Sequence, residues 1–262
     1  MTNLHRILLA LALLLPALLA CDSAPSKPSD RNDFTYQVRG VAVAEFNRDL
    51  GLVAVELDRD SVPLSTATIR FDGDTLEYGV PYFTPESLYF SLQDPAISLA
   101  GDSLLLTIDD SSYNSNTFFV TVPDTFTILT VEPPNRIVTG LQSVSVSWSA
   151  STNANGYVLS TVRRPVAYTG AGYSQFVTSL NPAGTLPPDA FSLSPGPLPD
   201  TGWYYIYVYA YIGSPDSVFT RTLLPVPMPD DMADNVNDDP WFGQVASMIV
   251  AHRDSVHVVT QP

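Results

Sequence analysis

The sequence predicts an all-β protein built as two consecutive β-sandwich domains. Hydrophobic residues make up 45% of its 262 residues and charged residues only 15%, which is typical of packed domains rather than of disordered or coiled-coil chains. From residue 34 onward, short apolar segments alternate with turn residues, and no segment has both the length and the 3.6-residue period of a clear helix. The length fits two domains of ordinary size.

Seven strands are expected in the first domain, residues 34–126. Asp72-Gly73 favours a tight hairpin between two of them, because glycine accepts the positive φ that such a turn requires. The stretch 59–76, with Pro63, Ala67 and Gly73, resembles small bacterial immunoglobulin-like or transthyretin-like modules. That resemblance implies an immunoglobulin-like sandwich and no functional site. The expected strands are 35–44, 51–57, 67–71, 75–78, 87–92, 103–108 and 116–122.

Prolines at 123, 133 and 134 mark the joint between the two halves. The second domain is expected at residues 127–262. Its first clear strand is 143–149, where polar and apolar residues alternate without interruption. Val144, Val146 and Trp148 should therefore point into one core, with Trp148 packed against Tyr157 and Leu159.

The second domain resembles a fibronectin type III domain in three successive strands. That family carries an inward tryptophan, then a tyrosine, then a Tyr-x-x-x-Val-x-Ala strand. Here these are Trp148, Tyr157, and Tyr204 with Val208 and Ala210. The resemblance covers residues 127–211 and departs from the family at 163–199 and after Gly213. It implies a fold and no particular activity.

The C-terminal extension of this domain is open to two interpretations. Segments 217–224 and 248–259 are expected to be strands separated by a loop, the second forming the edge of the sandwich. The alternative is an amphipathic helix at 242–252, because Val245, Met248, Ile249 and His252 share one face at helical spacing.

Residues 1–20 have the layout of a secretory signal, with a weakly basic start and an apolar run at 7–20 that is shorter than the about 20 residues of a membrane span. Leu18-Leu19-Ala20-Cys21 resembles the lipobox of bacterial lipoproteins, and Cys21 is the only cysteine. The resemblance implies lipidation of Cys21 and membrane attachment through that lipid.

Residues 21–33 are polar and rich in proline and serine, which predicts a flexible tether. The expected location is therefore the bacterial cell envelope, outside the cytoplasm, at the outer membrane or cell surface rather than the inner membrane. A formal net charge of −15 argues against nucleic acid as a partner, because such binding depends on Lys and Arg neutralising phosphates.

The most suggestive candidate binding site is a row of tyrosines at 205, 207, 209 and 211. Strand alternation places Tyr205, Tyr207, Tyr209 and Tyr211 on the face opposite Ile206 and Val208. Exposed on the outside of the sandwich, the row would suit stacking on a glycan or packing against an envelope protein. The alternative is that the row is covered, by the segment 163–199 or by the first domain, or that it supplies cross-strand aromatic pairing.

A weaker candidate is a Ca²⁺ site in the acidic segment 230–239. Asn235, Asn237 and Asp239 supply oxygen atoms at alternate positions, and Asp234 and Asp238 could add ligands. The glycine and the closing glutamate of an EF-hand loop are missing, so a solvated acidic loop is the competing interpretation. No other cofactor is expected.

Enzyme motifs are missing from the sequence: it has no Gly-x-Ser-x-Gly, no His-Glu-x-x-His and no glycine-rich phosphate loop. His252 and His257 would face opposite sides of a strand. The leading hypothesis is therefore a non-enzymatic envelope lipoprotein with a binding or adhesion role. A passive structural spacer is the alternative, and an extracellular hydrolase using paired carboxylates is third.

Overall fold

The segments predicted as strands in residues 34–126 are extended close to their predicted bounds. The computed structural model describes residues 34–47, 50–82, 84–93, 100–111, 114–134, 137–139, 142–164, 172–177, 181–192, 200–221, 223–224, 228–230, 232–251 and 254–259. The strands of the first half are β1 (Tyr36–Asn47), β2 (Leu50–Arg59), β3 (Val62–Pro63), β4 (Thr68–Phe71), β5 (Asp74–Thr75), β6 (Glu77–Gly79), β7 (Leu88–Gln93), β8 (Ser103–Asp110) and β9 (Asn114–Thr121).

The second half is also built from strands, which confirms the all-β prediction. They are β10 (Ile128–Glu132), β11 (Ile137–Thr139), β12 (Val144–Trp148), β13 (Gly156–Arg163), β14 (Tyr173–Val177), β15 (Ala183–Leu186), β16 (Gly202–Gly213), β17 (Val236–Asp238), β18 (Trp241–Val250) and β19 (Asp254–Val259). Helical structure among the described residues is limited to a 3-10 turn at Pro188–Phe191 and to α1 (Ser217–Arg221). None of these described helices could cross a membrane.

The turn predicted at Asp72-Gly73 is confirmed. Phe71 pairs with Asp74 across it, and both central residues have positive φ, 50° at Asp72 and 91° at Gly73. Two positive φ values define the hairpin turn whose twist matches that of the flanking strands.

Twelve strands of the described residues form one sheet, which we call the shared sheet. Its order is β11-β19-β16-β18-β1-β2-β7-β6, with β13 and β14 beyond β16, β17 beside β18, and β3 beside β2. Two smaller sheets pack on its inner face: the first small sheet, β5-β4-β8-β9, and the second small sheet, β10-β12-β15. One contiguous core cluster includes side chains of all three sheets.

The second half has the sandwich topology expected from its resemblance to fibronectin type III domains. The second small sheet faces β14-β13-β16-β19, and Trp148 is 1% exposed, with its ring 5.4 Å from that of Tyr157. The single O–H of Tyr204 is shared between the carbonyl oxygens of Phe191 (2.6 Å) and Asp200 (3.0 Å). This contact fixes the entry to β16 as a tyrosine corner does in such sandwiches.

The chain after β16 takes a course that the sequence analysis did not predict. It leaves β16 at Gly213, pairs β18 in parallel with β1 of the first half and antiparallel with β16, and then pairs β19 with β16. Residues 241–250, assigned to the second domain, thus complete a sheet of the first half. From Phe34 onward the chain forms one compact unit.

Two secondary-structure predictions for this region, one helix and one strand, are wrong. The helix proposed at 242–252 is wrong because β18 is buried on two faces: Val245 and Ile249 contact the inner core, Met248 and Val250 the outer one. The strand proposed at 217–224 is wrong because Asp216 starts a helical turn there, its carboxylate accepting the Phe219 N–H (2.7 Å) and its carbonyl the Thr220 N–H (3.0 Å).

The start of β1 and the end of β19 lie at opposite ends of the shared sheet. Tyr36 pairs with Trp241 at the start of β18, Val250 at its other end pairs with Tyr209, and Gly202 further along β16 pairs with Val258. At roughly 3.3 Å per residue, the two positions are about 50 Å apart along the strands.

Gly243 permits the close approach of β18 to β1. Its φ is +129°, and a Cβ atom there would lie 2.1 Å from the carbonyl oxygen of Val38, its register partner. No L side chain fits such a position without moving the backbone of β1.

We expect Gly243→Ala to lower the free energy of unfolding by about 3 kcal/mol or more, since it adds backbone strain and overpacking at one site. Gly79→Ala is the matched control, because a Cβ at Gly79 meets nothing closer than 3.8 Å. Denaturant unfolding of both variants checks this, and equal stabilities would contradict the close approach of β1 and β18.

Candidate functional site

The tyrosine row is buried, so its prediction as an exposed binding platform is wrong. Tyr207, Tyr209 and Tyr211 are 7%, 0% and 4% exposed, and Tyr205 is partly buried. The row does lie on one face of β16, as alternation predicts. That outer face of the shared sheet, however, carries a second hydrophobic core.

The cover of this second core comes from a part of the chain that follows β16. We call it the cover segment, meaning α1 together with Leu223, Leu224 and Met228. Its Phe219, Leu223, Leu224 and Met228 join the core with the tyrosines and with Val41 and Leu52 of the first half. The cover expected from residues 163–199 is limited, among the described residues, to β14, where Phe176 packs against Tyr211 at 5.7 Å.

Aromatic contacts continue along the row inside this core. The rings of Tyr205 and Tyr207 lie 6.3 Å apart edge to face, and those of Tyr207 and Tyr209 are stacked at 6.2 Å. Such pairs add stability beyond the burial of their area. The row therefore acts as core packing between β16 and the cover segment.

Arg39 fastens the cover segment to the shared sheet. Its guanidinium lies 2.7 Å from Glu56 on β2 and 3.3 Å from Asp216 at the start of α1. An open cleft of about 440 Å³ adjoins this contact, lined also by Glu86, Asp234 and Gln244. Glu56 orients the Arg39 guanidinium on the sheet, and the ion pair with Asp216 ties the residue before α1 to it.

A second open groove, of about 420 Å³, lies between β9 and the strands β16 and β18. Among the described residues, its lining contains no charged side chain. At its rim Phe119 is 80% exposed. Asn114 and Asn116 turn their side-chain oxygens back to accept the N–H groups of Ser115 (3.1 Å) and Thr117 (2.7 Å). These contacts protect part of an edge strand that would otherwise offer free N–H groups to another chain.

The segment predicted to bind Ca²⁺ forms a strand-pairing element instead of an open loop. The Asn235 side chain accepts the N–H of Val245 (2.9 Å) and donates to its carbonyl (2.8 Å). Asn237 donates to the carbonyl of Asp234 (3.2 Å), and Asp238 accepts from Asn116 (3.4 Å). Asp239 lies in the turn that leads to β18.

The Asn235 side chain is therefore engaged by the backbone of Val245 on β18. In the part of the chain that the structure describes, no three His, Cys, Asp or Glu side chains are close enough to hold a metal ion. Ca²⁺ binding stays a prediction of the sequence.

A partly buried cluster of polar and aromatic side chains, with no signal in the sequence, joins four strands at the start of β1. The Tyr36 hydroxyl and the Arg59 guanidinium both donate to Oδ2 of Asp110, each at 2.8 Å. Tyr36 stacks on Trp241 at 4.2 Å, and Arg59 lies over the ring of Phe34 at 4.8 Å. We call Phe34, Tyr36, Arg59, Asp110 and Trp241 the end cluster.

Burial and the neighbouring Asp110 carboxylate raise the pKa of Tyr36 to about 12. Burial likewise raises the pKa of Tyr89 and of Tyr204 to about 12. Tyr89 donates its hydroxyl proton to the carbonyl of Leu64 (2.9 Å). All three hydroxyls are therefore structural hydrogen-bond donors that the folded state keeps protonated.

Three further positions were singled out in the sequence. His257 stacks on Trp203 at 4.8 Å and lies on β19 between β11 and β16, where it is partly exposed. Cys21 and His252 lie outside the described residues, and lipidation of Cys21 stays a prediction.

Comparisons with known proteins give a likeness of fold only. No protein-family model matches the chain, and no curated protein matches it. Fibronectin(III)-like modules of CbhA from Clostridium thermocellum are 10% identical, with 87% of this chain and 94% of that chain covered and a TM-score of 0.27. DIP-gamma IG1+IG2 is 10% identical, with 84% and 98% covered and a TM-score of 0.23. With scores this low, the topology given above carries the fold assignment.

Replacing Tyr207 and Tyr209 together by Ser should lower the free energy of unfolding by about 5 kcal/mol or more, because each truncation of a large buried ring costs about 3–5 kcal/mol. Thermal and denaturant unfolding measure this. Phe119→Ser is the control for an exposed ring and should change stability little. A double mutant that melts with the parent would mean that the row is at the surface.

Stability should also fall at alkaline pH. The pKa values of Tyr36, Tyr89 and Tyr204 are raised to about 12 in the folded state from about 10 in the unfolded chain. Their contribution is therefore complete below about pH 10 and is lost as the pH rises towards 12.

Phenolate absorbance and circular dichroism recorded in one titration test this expectation. Some of the 13 tyrosines should ionise early, and the buried ones should ionise together with unfolding. Tyr36→Phe should remove one late-titrating group. Ionisation of every tyrosine near pH 10 in a folded chain would contradict the burial of these three.

Proposed function

We propose that this chain is a non-enzymatic structural module of a bacterial cell envelope, anchored by a lipid on Cys21 at the outer membrane or cell surface. The signal-like residues 1–20, the lipobox-like end of that segment and the polar tether 21–33 support the anchoring part. The aromatic row, which was the main argument for glycan or protein recognition, is part of the interior and supports no such role.

The shared sheet is the observation that carries the structural role. Two independent sandwiches joined by a flexible linker would change their relative orientation freely, because inter-domain contacts are usually small. Here the strands of both halves belong to one hydrogen-bonded sheet with one inner core. A body of this kind can hold a fixed distance between its two ends, which a flexible chain of sandwiches cannot.

Cys21→Ser should move the chain from the membrane fraction to the soluble extracytoplasmic fraction. The double variant Cys21→Ser with Ser23→Cys is the matched control, since it keeps a thiol two residues away and should also stay unlipidated. Detergent partitioning and incorporation of labelled fatty acid measure the effect. A Cys21→Ser chain that partitions with the parent contradicts the anchor.

The fixed distance can be measured on the lipidated chain in liposomes. A fluorophore on Thr35→Cys should be quenched more strongly by nitroxide lipids than one on Val259→Cys, because the tether keeps Thr35 nearer to the bilayer on average. Equal quenching at both positions would show that the module does not project from the membrane.

A further inference from the structure

The ladder between β1 and β18 has a particular orientation relative to the ends of the folded unit. The two strands are parallel, with Tyr36 opposite Trp241 and Ala44 opposite Ile249. The tether precedes β1 and so joins the ladder at the Tyr36 end. The chain leaving β18 at Val250 leads into β19, whose far end is at the opposite end of the shared sheet.

Tension between residue 35 and residue 259 would pull β1 by its start and β19 by its end. Because β19 follows β18 in the chain and pairs with β16, which itself pairs with β18, the pull reaches β1 and β18 in opposite directions along their axes. The hydrogen bonds of a ladder run across the strands, so a pull of this kind loads them all at once. Tension applied to two strands from the same end loads only the outermost bond, and the ladder then opens one bond after another.

Other contacts reinforce the same ladder. The end cluster ties the Tyr36 end to β2 and β8 through Arg59 and Asp110. At the other end, Met248 and Val250 are buried in the outer core beneath the cover segment. On its second edge, β18 pairs with β16 from Ala246 to Val250, so the force passes directly to the second sandwich.

We propose that the β1–β18 ladder is a shear clamp that bears tension between the membrane-side end and the far end of the module, and that it makes both sandwiches yield as one mechanical unit. The source of tension rests on the proposed envelope role. The clamp itself depends only on the strand arrangement.

Single-molecule pulling of one protein in two directions tests the clamp. In a Cys21→Ser background, handles on Thr35→Cys and Val259→Cys load the ladder in shear. Handles on Thr35→Cys and Asp239→Cys load it from one end, since Thr35 and Asp239 are exposed and adjoin the starts of β1 and β18. Both chains are first checked for the parent's melting temperature, and a peptide tag after Pro262 replaces Val259→Cys if that variant is destabilised.

At one loading rate, the unfolding force in shear should exceed that from one end by about twofold or more, because many ladder bonds break together. The shear traces should show a single step of about 75 nm, the length of residues 35–259 at roughly 3.3–3.6 Å per residue less the folded span.

Equal forces in the two directions would overturn the clamp. Two separate steps in shear, one for each half, would overturn the single mechanical unit. Neither pulling result depends on lipidation, whereas the Cys21→Ser fractionation tests lipidation alone. The failure of the clamp can therefore be distinguished from the failure of the envelope anchor.

Discussion

The parallel pairing of β1 with β18 is the constraint on which the rest of this structure depends. β18 has β1 on one edge and β16 and β17 on the other, so this one strand makes two sandwiches into a single sheet. Parallel neighbours need a long connection, and here almost the whole chain lies between the two strands. Closing so large a loop is entropically unfavourable and slows folding. The burial of β18 on both faces compensates for that cost.

Burial on both faces also explains the use of tyrosine and arginine in this chain. The strands β13, β16 and β18 contribute side chains to the inner core on one face and to the outer core on the other. Tyrosine fills such space and still offers a hydroxyl that can bind a backbone carbonyl, as Tyr204 and Tyr89 do. Within an acidic chain, Arg39 and Arg59 each bind carboxylates from other elements, so these two cations fasten the cover segment and the first small sheet.

The sequence predicted correctly that the tyrosine row lies on one face of β16, but the prediction that this face is exposed was wrong. Alternation correctly placed Tyr205, Tyr207, Tyr209 and Tyr211 on one face, but period-two reasoning assigns a face without saying whether anything covers it. A signal was present: β16 reads as an unbroken apolar run, which is typical of strands buried on both sides. The end cluster gave no comparable signal, because its members come from four strands and a loop that only the tertiary fold brings together.

The sequence by itself determined where the chain is extended and where it turns. Backbone and side-chain preferences act over a few residues, so Asp72-Gly73 and the alternation around Val146 are sufficient for a hairpin and a half-buried strand. Only the tertiary structure decided which strands pair, because pairing depends on hydrogen bonds and packing between residues that are distant in the chain. Val245, Met248 and Ile249 suit a helix face as well as a two-sided strand. What selected the strand was the free edge of β1, more than 190 residues away, and the space that Gly243 leaves for its backbone.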